Sequence, residues 1–206
     1  MRVNSWIGLG FAALFTACAF GEMPGREEST TDSSTETLQP QAVGASRSDS
    51  PVTDAPMQRA GAVLRDREGR EVAIATLVQE ENGVHFSVIS NALPAGRLAV
   101  HVHENGVCEP PDFASAGGHF APRGHQHGLE NPAGPHAGDL PNIRVAPDGA
   151  GEVEALNPWV SLREGETGYL LESGGTSIVV HEMTDDYFTD PSGNSGDRIA
   201  CGVVEP

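Results

Sequence analysis

Histidines are concentrated in one short part of this sequence. Six of the eight histidines lie between residues 101 and 139, in a segment rich in Gly and Pro that ends on Asp139. Imidazole together with carboxylate is a ligand set that proteins use for zinc and related ions. Because the cluster lies on turns, outside any regular periodic element, it indicates a metal site.

The spacing of individual histidines shows how they could reach one ion. His101 and His103 are two apart in a strand-like run, so both side chains leave the same face. His136 and Asp139 are three apart in a turn flanked by glycines, where the backbone can approach closely. His181 ends an apolar strand, a place where a histidine is ordinarily a core or rim residue. Each of these features alone is weak evidence for a metal ligand. Together they make a metal site the better explanation.

The candidate ligands are too many for one ion. There are seven of them, namely His101, His103, His119, His127, His136, His181 and Asp139. A tetrahedral zinc takes four ligands, so the set predicts two ions that share one histidine. Imidazole suits zinc, copper, iron or nickel, and a site with a carboxylate suits zinc. Ligand chemistry therefore predicts one zinc, with either a redox-active metal or a second zinc beside it.

A sheet is expected to position these residues. Short runs with alternating Val, Ile, Leu or Phe are separated by turn-like sequences at roughly ten-residue spacing, which is typical of an antiparallel sandwich or barrel. The predicted strands span residues 60–65, 71–79, 83–90, 97–103, 140–145, 151–156, 177–181 and 199–204. The fold class is therefore all-β with about eight strands. No strand fits residues 104–139, and a loop of this length is usually functional.

The N-terminal part has the composition of an export signal followed by a tether. A basic start and an apolar run from Ile7 to Phe15 predict a signal peptide over residues 1–18. Its end resembles a bacterial lipobox, in which Cys18 is lipidated; ordinary cleavage after residue 19 is the alternative. Residues 19–57, rich in Ser, Thr, Glu and Pro, predict a disordered tether, which leaves residues 58–206 as the folded domain. The expected location is the periplasm or cell envelope, with a lipid anchor.

The charge of the chain limits the kinds of partner that it can bind, and its cysteine content bears on lipidation. The net charge is -17 and all 12 basic residues are Arg. Nucleic acids and anionic membrane surfaces need a basic patch, so neither is an expected partner, and the lipid anchor would be the only membrane attachment. Three cysteines are an odd number for an exported chain, and lipidation of Cys18 would account for this.

Six motifs resemble the copper,zinc superoxide dismutase family. They are HVHE at 101–104, SAGGHF at 115–120, HG at 127–128, GPHAGDLPN at 134–142, IVVHE at 178–182 and GDRIACG at 196–202. They follow the family's order and gaps over about residues 60–204. The resemblance implies a Greek-key β-barrel with long metal-binding and electrostatic loops. It also implies copper ion and zinc ion as cofactors, and dismutation of superoxide to molecular oxygen and hydrogen peroxide.

The resemblance assigns a role to each matched residue. Copper would be held by His101, His103, His119 and His181, and zinc by His119, His127, His136 and Asp139. His119 would be the shared ligand, which releases copper and takes up a proton in the reduced state. Asp185 would link a copper-ligand histidine to a zinc-ligand histidine, and Arg198 would dock the superoxide anion. Cys108 and Cys201 would form the family's disulfide.

Two departures from the family pattern concern packing and charge. Ala99-Val100 stands where the family usually has Gly-Phe. Residues 186–197, the expected electrostatic loop, hold three aspartates and no lysine, so attraction of an anion must come from Arg198, Arg123 and the metals. The extra histidines, His125 and His85, are predicted to lie at the surface.

Other functions are open at this point. A non-catalytic envelope protein that carries or buffers copper and zinc is one alternative, and a structural sandwich with zinc alone is another. The filled ligand positions and Arg198 favour the enzyme. Members of the family occur as monomers and as dimers, so a homodimer is open too.

Overall fold

The structure is a computed structural model that describes residues 58–206. Nine antiparallel strands build this part of the chain. They are β1 (Arg59–Asp66), β2 (Glu71–Glu80), β3 (Gly83–Ser90), β4 (Gly96–Leu98), β5 (Val100–His103), β6 (Ile143–Val145), β7 (Gly151–Asn157), β8 (Ser177–His181) and β9 (Arg198–Val203). Within residues 58–206 the only helix is a 3-10 turn, Ala114–Ala116, and none is long and apolar enough to cross a membrane.

The nine strands form one sheet that curls into a nearly closed barrel. Its order is β4-β6-β7-β3-β2-β1-β9-β8-β5, so β4 and β5 lie at the two ends. Only Ala99 separates these two strands in the chain, which brings the ends of the sheet together. The Ala99 N–H donates to the Met183 carbonyl at 2.8 Å, and the Ala99 carbonyl accepts from the His181 N–H at 2.9 Å. The all-β antiparallel barrel expected from the sequence is confirmed.

One predicted strand is two strands in the structure, which accounts for nine strands in place of eight. The predicted strand 97–103 is interrupted at Ala99, where the chain changes partners: β4 pairs with β6, and β5 pairs with β8. Alternating sequence could not reveal the break, because buried residues lie on both sides of it. The predicted strand 140–145 begins only at Ile143.

Alternation along the long strands builds the core. Leu64 on β1, Leu77 on β2 and Phe86 on β3 point inward and are at most 1% exposed. Val63, next to Leu64, points outward and is 43% exposed. Apolar burial of this kind supplies most of the favourable free energy of folding. The packed core therefore fixes the positions of β5 and β8, whose residues are buried in it.

Two of the long loops that leave the barrel carry residues of the site. The metal loop, residues 104–142, joins β5 to β6, and the acidic loop, residues 182–197, joins β8 to β9. The metal loop returns to β5 twice: the Phe120 N–H donates to the Val102 carbonyl and the Val102 N–H to the Gly138 carbonyl, both at 2.8 Å. A Cβ at residue 138 would collide with the Val102 carbonyl oxygen, so glycine is required there.

A disulfide ties the metal loop to the barrel. Cys108 and Cys201 are bonded, with their Cα atoms 5.6 Å apart and a sequence separation of 93. The pairing implied by the resemblance is thus confirmed. Disulfides persist in oxidising compartments, so the bond fits an exported protein. The predicted signal peptide, Cys18 and the tether lie outside the described residues.

Candidate metal centre

Strands β5 and β8 place three histidines side by side. His101 and His103 lie on β5, opposite Val179 and Ser177 of β8, and His181 is the last residue of β8. All three side chains are buried, although histidine is polar. The same-face prediction for His101 and His103 is consistent with this arrangement, and buried imidazoles need partners.

The first group of possible ligands is the four-histidine cluster, His101, His103, His119 and His181. One ligand atom from each lies within 4.8 Å of the others. His103 Nε2 and His181 Nε2 are 3.4 Å apart, while His101 Nδ1 and His119 Nε2 are buried with no hydrogen-bond partner. Two buried nitrogens without partners, aimed into a ring of imidazoles, are what a metal-binding pocket requires.

The second group is the loop cluster, His119, His127, His136 and Asp139. Asp139 Oδ1 lies 3.0 Å from His119 Nδ1, 3.1 Å from His127 Nδ1 and 3.4 Å from His136 Nδ1. His119 Nδ1 and His136 Nδ1 are 3.4 Å apart. Ligands about 2.0 Å from a tetrahedral ion are about 3.3 Å from one another, and these four distances are close to that value.

His119 belongs to both clusters. Its Nδ1 points to the loop cluster, and its Nε2 is the partnerless nitrogen of the four-histidine cluster. His101 also brings a nitrogen within 4.8 Å of three loop-cluster ligands. The set whose atoms all lie within 4.8 Å of one another is His101, His119, His127 and Asp139. The predicted ligand His136 lies outside that set, although its Nδ1 approaches both His119 and Asp139 to 3.4 Å.

Asp185 connects the two clusters from behind. His101 Nε2 lies 2.8 Å from Asp185 Oδ2, and His127 Nε2 lies 3.0 Å from Asp185 Oδ1. A carboxylate accepts from both rings, which puts their protons on Nε2 and leaves Nδ1 free to bind a metal. The Asp185 N–H donates to Asn142 Oδ1 at 2.8 Å, and Asn142 Nδ2 donates to the Asp185 carbonyl at 3.0 Å. The carboxylate is therefore held in place by the end of the metal loop.

Backbone carbonyls orient two further rings. His103 Nδ1 donates to the Gly117 carbonyl at 3.0 Å, and His181 Nδ1 donates to the Gly196 carbonyl at 3.1 Å. The Nε2 atoms of both rings consequently carry the lone pair and face the centre of the four-histidine cluster. In His101, His103 and His181, an acceptor on the far side of the ring therefore leaves the nitrogen that faces the cluster unprotonated.

The two clusters differ in protonation. Burial lowers the pKa of His101 to about 3 and that of His181 to about 4, so both stay neutral lone-pair donors. Burial would also lower the pKa of His127, but hydrogen bonds to Asp139 and Asp185 raise it to about 9. Despite its burial, the pKa of Asp139 is far below its ordinary value, because the histidines of the loop cluster hydrogen-bond to it. The loop cluster therefore holds a proton that a cation can displace.

Arg198 lies beside the four-histidine cluster. Its Nη1 donates to the Phe113 carbonyl and its Nη2 to the Gly117 carbonyl, both at 2.6 Å. Its charge acts on the pKa of His103 and His181, after the larger effect of burial, and lowers both. The Arg198 position follows from the metal loop, whose carbonyls hold the guanidinium near two of the buried rings.

Some residues of the centre carried no recognisable signal in the sequence. Asp190 Oδ1 accepts from the His127 N–H at 2.7 Å and lies 3.9 Å from His136 Nε2. Asn142 supports Asp185, as described above. Asp190 was part of plain loop sequence, and Asn142 ends the motif at residues 134–142 without a predicted role; only the folding of the two loops against each other brings them to the candidate ligands.

The extra histidines do not join either cluster. His125 is half-buried, contrary to the surface position expected for it: its ring is 5.8 Å from the Trp159 ring and its Nδ1 donates to the Pro135 carbonyl at 3.2 Å. His85 lies on the outer side of β3, between Val78 and Leu156 of the neighbouring strands, and is also half-buried.

Comparisons with known proteins agree with this centre. The family described as copper/zinc superoxide dismutase (SODC) matches residues 72–204. The protein named superoxide dismutase (Cu-Zn) 2 of Aquifex aeolicus is 48% identical over 147 residues, which are 71% of this chain and 86% of that protein. The superoxide dismutase-like protein YojM of Bacillus subtilis is 43% identical over 143 residues, 68% of this chain and 73% of that protein.

Solved structures show the same relationship. A crystal structure of a SOD-like protein from Bacillus subtilis matches with a TM-score of 0.66 and 41% identity, covering 69% of this chain and 96% of that chain. The Cu/Zn superoxide dismutase from Brucella abortus matches with a TM-score of 0.58 and 29% identity, covering 72% and 100%. The barrel, the two clusters sharing one histidine and these matches lead to one conclusion: the chain belongs to the copper/zinc superoxide dismutase family.

Proposed function

We propose that this protein dismutes superoxide to molecular oxygen and hydrogen peroxide at a dinuclear copper and zinc centre. The observation that carries the proposal is the pair of clusters that share His119, in a chain of this family. Copper is assigned to the four-histidine cluster and zinc to the loop cluster. Four neutral imidazoles suit copper, and three imidazoles with a carboxylate at tetrahedral spacing suit zinc.

The chain's own residues divide the work of the reaction. Copper, when bound, supplies one-electron redox chemistry, and zinc supplies a fixed positive charge without redox change. His119 can hold a proton at Nε2, because that atom has no other partner, while Nδ1 stays turned to Asp139. Asp185 keeps the His101 and His127 rings in one orientation throughout. The protein thus changes protonation at one atom and keeps the remaining rings fixed.

Arg198 is assigned the docking of the anion. Two carbonyls hold its guanidinium from the side of the metal loop, which leaves the remaining N–H groups for a ligand. A guanidinium in a part-buried position attracts an anion more strongly than one in open solvent, because screening is weaker there.

The test uses the full chain, expressed with its own N-terminus and loaded with both metals. We expect about one copper and one zinc per chain, and superoxide dismutation in pulse radiolysis that is lost when copper is removed. Arg198→Ala should lower the second-order rate constant while both metals stay bound. Zinc alone without activity would leave the non-catalytic metal-binding protein as the function.

We further propose that the chain is exported and anchored to the cell envelope through lipidated Cys18. The proposal is supported by the lipobox-like sequence at residues 15–18 and by the Cys108–Cys201 disulfide. Cys18→Ser should move the protein from the membrane fraction to the soluble fraction; if fractionation does not change, ordinary secretion is the better account. Whether the enzyme is a homodimer is measured by sedimentation of the same material.

A further inference from the structure

The charged residues around Arg198 include one that sequence reasoning did not find. Arg67 lies in the turn between β1 and β2, far from the metal ligands in the chain. Its Nε and Nη2 both donate to the Arg198 carbonyl, at 3.2 and 2.9 Å. The two arginines line a single cavity of about 450 Å³, together with Asp112 and Asp197.

The turn that carries Arg67 is firmly held. Asp66 Oδ1 accepts from the N–H groups of Glu68 and Arg70 at 3.0 and 2.9 Å, and Arg70 Nε donates to Asp66 Oδ2 at 2.7 Å. Gly69 has φ +81°, a conformation that a side chain would disfavour. Arg67 therefore has a fixed backbone position, and its side chain, 38% exposed, reaches β9 from solvent.

Arg123, the other candidate for attracting an anion, is occupied elsewhere. Its Nη1 donates to the Trp159 carbonyl at 3.0 Å, and its guanidinium carbon lies 5.5 Å from the centre of the Trp159 ring. It does not line the cavity beside Arg198. Arg67, and not Arg123, is therefore the second arginine beside Arg198.

The charge balance of the cavity depends on Arg67. Two arginines and two aspartates line it, so their formal charges cancel. Arg67 Nη2 lies 3.5 Å from Asp197 Oδ2 and offsets that carboxylate directly. Without Arg67 the cavity would carry one net negative charge next to Arg198, in a chain whose net charge is already -17. A net negative charge next to Arg198 would repel an anion.

We propose that Arg67 is a second positive charge of the substrate-capture site, which draws superoxide into the cavity beside Arg198 and neutralises Asp197. The inference rests on the proposed function, since it concerns how the substrate of that reaction arrives. Arg67 acts on the encounter with the anion, and it does not hold a metal. The acidic loop needs no lysine, because a turn on the other side of β9 supplies the cation.

The experiment compares four variants of the full chain loaded with copper and zinc. Arg67→Ala removes the charge, and Arg144→Ala is the control, with the same change of net charge at an exposed position of β6. Asp197→Asn and the double variant Arg67→Ala/Asp197→Asn separate charge from geometry, because the double variant restores a neutral cavity. Metal content is measured for each, and all four should keep both metals.

Two readouts are used. One is the second-order rate constant of dismutation as a function of ionic strength; the other is the dissociation constant of azide, a small monoanion, from the absorption change on binding. A unit charge within roughly 7 Å of the path in water changes the encounter about threefold. For Arg67→Ala we expect a rate constant about threefold below that of Arg144→Ala at low salt, and a weaker azide affinity by a similar factor. The difference should close near 1 M salt, where the Debye length is about 3 Å.

The double variant decides between electrostatics and structure. Recovery of the rate and of azide affinity towards the wild-type values supports capture by charge. If the rate constant stays low at high salt and in the double variant, Arg67 acts only by holding the Arg198 backbone through its two hydrogen bonds. If Arg67→Ala and Arg144→Ala have the same rate constant and azide affinity, the proposal is wrong. If the wild-type enzyme with both metals bound shows no dismutation, the proposed function fails instead, and the azide titration still tests Arg67.

Discussion

Removal of the Asp185 carboxylate should weaken zinc more than copper. Asp185 accepts hydrogen bonds from His101 of the four-histidine cluster and from His127 of the loop cluster, at 2.8 and 3.0 Å. His101 keeps its place without Asp185, because β5 pairs with β8 on both sides of it. His127 lies in the metal loop, outside any strand, and depends on side-chain contacts for its orientation.

The size of the effect follows from these contacts. Loss of a hydrogen-bond partner behind a metal-binding histidine typically costs 10- to 100-fold in metal affinity. We therefore expect Asp185→Ala to raise the zinc dissociation constant by about 10- to 100-fold, or about 1.4 to 2.7 kcal/mol, and the copper dissociation constant by less. Competition of each metal with a chelator measures both constants. Asp148→Ala, in the turn between β6 and β7, removes a carboxylate that accepts only from the Ala150 N–H and is the control.

If copper affinity falls more than zinc affinity in Asp185→Ala, the pairing of β5 with β8 does not hold His101 in place, and the prediction is wrong. It would also fail if Asp185→Ala bound zinc as tightly as the control. Near-ultraviolet circular dichroism separates these results from general unfolding, since a folded variant retains the signal of its buried aromatic residues.

Three further perturbations follow from the same geometry. His119→Ala removes a ligand from each cluster, so both metals should weaken and dismutation should be lost; full activity would contradict the shared position. The double variant Cys108→Ser/Cys201→Ser opens a loop of 93 residues and should lower the free energy of unfolding by about 4 to 5 kcal/mol in the loop-entropy model, measured by urea denaturation, where an unchanged midpoint would count against it. In the metal-free chain the pKa of His127 is raised to about 9, so its contribution to stability is full below pH 6.5 and is lost as the pH rises through 9. Zinc binding at pH 7 should accordingly release a proton. Calorimetry measures this, because the heat of zinc binding then depends on the ionisation enthalpy of the buffer; a heat of binding that is the same in every buffer would disprove it.

The sequence indicated most of the residues that the fold brings together, because the chemistry of a metal ligand is carried by residue type and spacing. His101 and His103 were expected on one face, and a histidine common to two sites was expected from the number of candidates; in the structure His119 and His101 belong to both groups. The boundary at Ala99 could not be predicted, because the change of strand partner there depends on closure of the barrel. Leu98, Ala99 and Val100 are all buried, so burial does not mark the boundary either.

The residues that sequence reasoning missed all act across long chain separations. Asp190 reaches the His127 N–H over 63 residues, and Arg67 reaches Arg198 over 131. An aspartate in an acidic loop and an arginine in a hairpin turn have ordinary local explanations, so nothing in the neighbouring sequence marks them. His125 shows the converse: its type and position suggested the surface, but packing against Trp159 half-buries it.

The four-histidine cluster is built mainly on strands, whereas the loop cluster is built on a loop, and this difference should affect the order in which the two metals bind. Three of the four ligands in the four-histidine cluster lie on β5 and β8, which the barrel core fixes before any metal is present. The loop cluster is built by the metal loop alone, which β5, the disulfide and the acidic loop hold at separate points. Zinc should therefore order the loop that carries its own ligands, and through His119 it also fixes the last ligand of the four-histidine cluster. Loading zinc first should accordingly raise copper affinity, whereas loading copper first leaves His127 and His136 unpaired with a metal.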